Sequence, residues 1–138
     1  MGLTVVAAGA IIGLLDPSDT HHASATRAIS EASARRDQLV IPASAYAECL
    51  VGPSRQGPTV VDHVRMFAEQ LPLHIAALDR SIAEAAAGLR ARHGGRMKLP
   101  DALVVATAIV VGADLLITTD RGWPSRRSLG LGGRLLVL

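Results

Sequence analysis

Short, unbroken apolar runs alternate with longer helical segments along this chain, and that alternation restricts its fold more than any other feature. The runs Leu3–Val6, Gln38–Ile41, Leu73–Ala76, Asp114–Thr118 and Gly133–Leu138 are strand candidates. They are continuously apolar rather than alternating, as strands covered on both faces are. The order strand–helix–strand therefore predicts a parallel sheet of about five strands inside a three-layer α/β/α domain. The chain has 138 residues, the size of one domain spanning 1–138. Only 2% of those residues are aromatic while 49% are hydrophobic, so Ala, Val, Leu and Ile must build the core.

The helices announce themselves by punctuation. Asp16-Pro17-Ser18-Asp19 is turn chemistry, and Asp19 or Thr20 can cap the helix that follows. Pro42 is expected to open a helix that runs to about Val51 and stops at Gly52-Pro53, leaving Ser54–Gly57 as a loop. Asp79 caps a helix from Arg80 to about His93, closed by Gly94-Gly95, and Pro100 opens an apolar helix through Val111. A first helix is expected from Ala10 to Leu15, with Ala7, Ala8 and Gly9 in the turn before it.

The net charge is +2, and Lys98 is the only lysine. An Arg-dominated cation set permits a nucleic-acid partner, although a compositional bias of Arg over Lys gives the same result. A single cysteine, Cys49, allows no internal disulfide, and a reducing cytoplasm is the simplest setting. The apolar run Leu3–Leu15 is too short to span a bilayer. It also lacks a basic leader, since the first cation is Arg27. These features predict a soluble cytoplasmic protein.

Three acids stand out by position. Glu48 lies in SAYAECLV among small and apolar residues, where a buried charge would need solvent, a partner or a metal. Asp101 follows the helix-opening proline in KLPDALVVATA, a place the helix dipole alone would justify. Asp120 follows the strand ADLLIT in TTDRGW. In a doubly wound sheet all three can approach the carboxyl edge, where clefts form. Converging carboxylates repel and have raised pKa values. Mg²⁺ or Mn²⁺ would remove that conflict, because both prefer oxygen ligands. The first strand ends on the same edge, and there Ala7 offers no reactive group.

The segments VVAAGAIIGLLDPSDTHH, LVIPASAYAECL, LPDALVVATA and ADLLITTDRGW, in this order and spacing, resemble PIN-domain ribonuclease toxins of the VapC type. The likeness covers nearly the whole chain. In such toxins the first strand runs into a metal-ligating aspartate, and the resemblance places that aspartate on Ala7. Glu48, Asp101 and Asp120 match the other acids, Thr118 matches the hydroxyl residue two places before the last acid, and Asp16 matches a peripheral one. Two origins fit Ala7: an engineered inactivating substitution, favoured by the three intact acids, or natural decay. The codon in the encoding gene distinguishes them.

The resemblance implies a Mg²⁺- or Mn²⁺-dependent endoribonuclease that cleaves structured RNA and leaves a 5′-phosphate and a 3′-hydroxyl. The ion would lower the pKa of a bound water and offset charge on the phosphate. With Ala7 the chain is expected to be inactive. The resemblance also implies a VapB-type antitoxin partner and a homodimer. Arg121 and Lys98 are placed to touch phosphate, with ordinary exposed cations as the alternative. Thr118 either orients a metal-bound water or simply finishes its strand. Trp123 either stacks on a base or packs, and His21 and His22 are expected in solvent.

Two rivals stand beside this reading. One is a non-catalytic PIN-like module that binds RNA or protein, for which Ala7 speaks and the intact acids speak against. The other is a phosphatase or phosphoacceptor, which needs an aspartate nucleophile at a strand end with a nearby lysine; Glu48 inside a helix fits that poorly.

Overall fold

The computed structural model describes residues 1–138. Five strands, β1 (Leu3–Val6), β2 (Gln38–Pro42), β3 (Leu73–Ala76), β4 (Leu115–Thr118) and β5 (Arg134–Val137), form one sheet. Their order is β3-β2-β1-β4-β5, and every neighbouring pair is parallel. The expected fold class is therefore the observed one. Seven helices connect the strands: α1 (Ala8–Leu15), α2 (His22–Ala34), α3 (Ala43–Gln56), α4 (Pro58–Gln70), α5 (Arg80–His93), α6 (Leu99–Val110) and α7 (Arg126–Leu129). Right-handed crossovers put α1–α4 on one face and α5–α7 on the other, because the chain reverses direction across the sheet after β3. No helix is long and apolar enough to cross a membrane.

The central strands read as predicted because they are buried on both faces: Val5, Val6, Val40, Ile41, Leu116 and Ile117 are all nearly inaccessible. Asp79 accepts a hydrogen bond from the Ile82 amide at 2.9 Å, so the cap of α5 is also as expected.

Several boundaries differ from expectation; α2 has His21, not Asp19 or Thr20, at its N-cap, with no side-chain capping bond. Helix α1 starts at Ala8, not Ala10, because Ala7 is extended (φ −77°, ψ 162°) and already occupies the N-cap. Helix α3 passes through Gly52 and Pro53 to Gln56 and ends only at Gly57, whose φ of 129° turns the chain. Pro53 gives up one backbone donor there, but its fixed φ is helical and Gly52 has no positive φ to break the helix. Ser54–Gln56 are therefore helical rather than a loop. Helix α7 was not expected at all; it is one turn capped by Ser125, which accepts from the Ser128 amide at 3.2 Å.

Strand β5 is laid onto β4 through Gly133. A Cβ at this position would collide with the carbonyl oxygens of Ala113 and Asp114, both backbone atoms that cannot rotate away. Gly133→Ala should therefore destabilise the fold by about 1–3 kcal/mol, measured as a lower urea midpoint with an unchanged slope.

Candidate active site

The sheet reverses its strand order between β1 and β4, and there the carboxyl ends of two neighbouring strands part to leave a crevice. A cleft of about 180 Å³ opens at that point, lined by Ala7, Glu48, Asp101, Thr118, Asp120 and Trp123 among others. Glu48, Asp101 and Asp120 thus reach the same cleft as Ala7. They arrive from four elements: Ala7 after β1, Glu48 on α3, Asp101 in the first turn of α6, Asp120 after β4.

Each side chain has a distinct setting. Ala7 is buried, and its amide donates to the Ile117 carbonyl at 2.9 Å, which locks the end of β1 against β4. As N-cap of α1 it offers the free amides of the first turn no side-chain acceptor. Gly9, two residues on, is held close to Thr119; a Cβ would run into the Thr119 hydroxyl. Thr118 is buried and its hydroxyl accepts from the Asp120 amide at 3.1 Å. Of its two sequence readings, then, the strand-finishing one has a visible bond: it shapes the turn that carries Asp120. Asp120 in turn accepts from the Gly122 amide at 2.7 Å, which occupies one of its carboxylate oxygens.

Glu48 corrects an expectation. Its neighbours suggested burial, yet the residue is exposed. Helix periodicity explains this, because Ala45 and Cys49 take the core face of α3 while Glu48 lies on its rim. Partial burial followed by the nearby Asp101 still raises its pKa. Burial is also the largest influence raising the pKa of Asp101, and the charge of Asp120 adds to it; the indole of Trp123 and the ammonium of Lys98 oppose both. Asp101 is therefore the centre of the acid group, with Glu48 on one side and Asp120 on the other. Cys49, beneath Glu48, has its thiol pushed up to about 12 by burial and by the Glu48 charge, and its Sγ lies 3.8 Å from the Ala8 carbonyl. It is inert as a nucleophile.

The other residues divide clearly. Arg121 and Lys98 are exposed and do not line the cleft themselves, Arg121 following Asp120 and Lys98 at the N-cap of α6. Asp16 lies outside the cleft and folds back on Ser18, accepting from its amide at 2.9 Å and its hydroxyl at 2.6 Å. His21 and His22 are half-buried rather than in solvent. The reason is the close approach of α2 to Gly13: His22 Nδ1 lies 2.8 Å from the Gly13 carbonyl, and His21 packs against the same glycine. Neither lines the acid cleft. The sequence had offered Trp123 only as a stacking or packing residue; it is buried with its ring at the cleft.

The donor chemistry, all oxygen, suits a hard divalent cation. The number of donors does not. No three His, Cys, Asp or Glu side chains of the chain come together closely enough to hold a metal ion. Ala7 lines the same cleft with a methyl group and adds no donor. As it stands, the site does not fit a resident ion.

A parallel sheet whose switch point opens on an acid-lined cleft defines a doubly wound α/β protein with its site between the first and fourth strands. The PIN domain profile matches residues 5–127, and the chain belongs to the PIN-domain family. No curated protein matches it by sequence. Among solved structures it is similar to a chain of the toxin–antitoxin complex from Klebsiella pneumoniae. That chain is 24% identical with a TM-score of 0.67, over 88% of this chain and 96% of the other. VapBC2 from Rickettsia felis, bound to a DNA fragment from its promoter, gives 14% identity and a TM-score of 0.73, over 99% and 98%. FitAcB from Neisseria gonorrhoeae gives 18% and 0.66, over 97% and 96%. At these identities the likeness is one of fold.

Proposed function

We propose that this chain is an endoribonuclease toxin of the VapC type whose cleft has lost one acid, at Ala7. The observation that supports it is the meeting of Glu48, Asp101, Asp120 and Thr118 with Ala7 in one cleft of a PIN domain. Three acids in one cleft with no cation among the lining residues make a site that lacks its counter-charge. On this reading Mg²⁺ or Mn²⁺ supplies that charge once an aspartate stands at position 7. Arg121 and Lys98, both exposed, then meet the phosphates on either side of the scissile bond. The chain as it stands is inactive.

The solved structures of similar fold are toxin–antitoxin complexes, and the proposal includes a VapB-type antitoxin as partner, a homodimer of this chain and a cytoplasmic setting. The groove between α1, α3 and α4 contains Glu48 at its margin and continues to Ile12, Val60 and Val64. A partner lying there would reach the acid cleft directly.

The rival is a non-catalytic module that binds RNA or protein. Product analysis separates the two. Structured RNA incubated with the Ala7→Asp protein and Mn²⁺ should yield fragments with 5′-phosphate and 3′-hydroxyl ends. RNA that is retained by the protein but stays intact would favour the binding module and contradict the proposal.

A further inference from the structure

The only tryptophan of the chain has one polar atom, and that atom is unused. Trp123 is 8% exposed, and its Nε1–H is buried with no hydrogen-bond partner. Tryptophan is favoured in a core only where its N–H finds an acceptor, and a buried donor left alone is costly enough that each instance demands a reason. The ring lines the cleft with Asp101. Its N–H already favours the ionised form of Asp101, although no closed hydrogen bond joins them. The alternatives in the cleft are weaker acceptors for it. Asp120 has one oxygen engaged by the Gly122 amide. Glu48 lies on the exposed rim of α3, away from the buried ring.

We infer that Trp123 is a positioning residue for Asp101: its indole N–H closes on the Asp101 carboxylate and fixes how that acid faces the cleft. The bond would tie the loop after β4 to the first turn of α6, the two segments that bring Asp120 and Asp101 together. Packing alone would be served by any large ring here, whereas only tryptophan among apolar aromatics brings a donor. The inference takes its importance from the nuclease reading above, but its existence does not depend on cleavage.

The single indole gives one side-chain N–H resonance in a ¹H–¹⁵N correlation spectrum, and that resonance reports the bond. Asp101→Ala should move it upfield and speed its exchange with solvent by about tenfold or more, the loss expected for a hydrogen bond to a charged acceptor. Asp101→Asn keeps the side-chain shape with a weaker acceptor, so it should move the signal less and in the same direction. Glu48→Ala should leave it in place. An indole signal unmoved by both Asp101 variants, with the backbone spectrum still that of the folded chain, overturns the inference. So does a signal unmoved by them that shifts when uridine 5′-monophosphate is added, since the donor would then belong to a ligand. If Ala7→Asp protein fails to cut RNA while the Asp101 variants still move the indole, the nuclease reading falls and the positioning role stands.

Discussion

Ala7→Asp should create a Mn²⁺ site at least tenfold tighter than any the present chain has, read by isothermal titration calorimetry. Changes beside a ligand set already cost about 10–100-fold in metal affinity, and on the proposed function position 7 belongs to the set itself. The geometry gives the substitution two consequences that pull in opposite directions. Position 7 is the N-cap of α1 and carries no side-chain acceptor. An aspartate there gains a capping bond worth about 0.5–2 kcal/mol. The same position is buried and faces Asp101 and Asp120, so a new unpaired charge costs more than the cap returns. In chelator the variant should therefore melt below the parent. Saturating Mn²⁺ should reverse the order, because an ion that binds only the folded state stabilises it by mass action. A parent chain whose melting temperature rises with Mn²⁺ as much as the variant's would contradict the assignment of position 7.

Asp101→Asn, made in the Ala7→Asp chain, should lower RNA cleavage by about 100-fold or more, since it removes the central acid of the cleft rather than a neighbour of it. The same change should stabilise the protein in chelator at neutral pH. Burial, then Asp120, raises the pKa of Asp101 above its ordinary 3.8 in the parent chain. The folded state thus holds this proton more tightly than the unfolded one, so ionisation weakens the fold. That penalty is absent below the ordinary pKa and complete above the raised one. Asparagine cannot ionise, and its gain in melting temperature should be present at pH 7 and vanish near pH 3. A mutant that loses both activity and stability at neutral pH would place Asp101 in the structural framework instead.

The strands were legible because a parallel sheet covered on both faces writes itself as short runs of Val, Ile and Leu, as in β1, β2 and β4. The end of α3 was not legible. Gly52-Pro53 is a stop signal only if glycine takes a positive φ or proline loses a needed bond, and tertiary packing against α1 and α4 lets the helix run on to Gly57. Helix α7 carries a readable signal in Ser125 as cap after Pro124 and in Gly130, left-handed at its end. The meeting of Glu48, Asp101 and Asp120 at one cleft was legible, because topology carries the ends of β1 and β4 and the starts of α3 and α6 to one edge. What the sequence could not show is the rim position of Glu48, which depends on the rotation of α3, or the turn that binds Asp120 to Gly122. The unused indole donor of Trp123 was equally hidden, since an orphaned atom is a property of the packed chain.

The most direct test of the central claim is cleavage of one structured RNA by the Ala7→Asp protein beside the chain as it stands, each with Mn²⁺ and with chelator. A cleft short of one acid predicts cutting only by the Ala7→Asp protein and only with the metal. Equal cutting by both proteins, or cutting that survives the chelator, would contradict it.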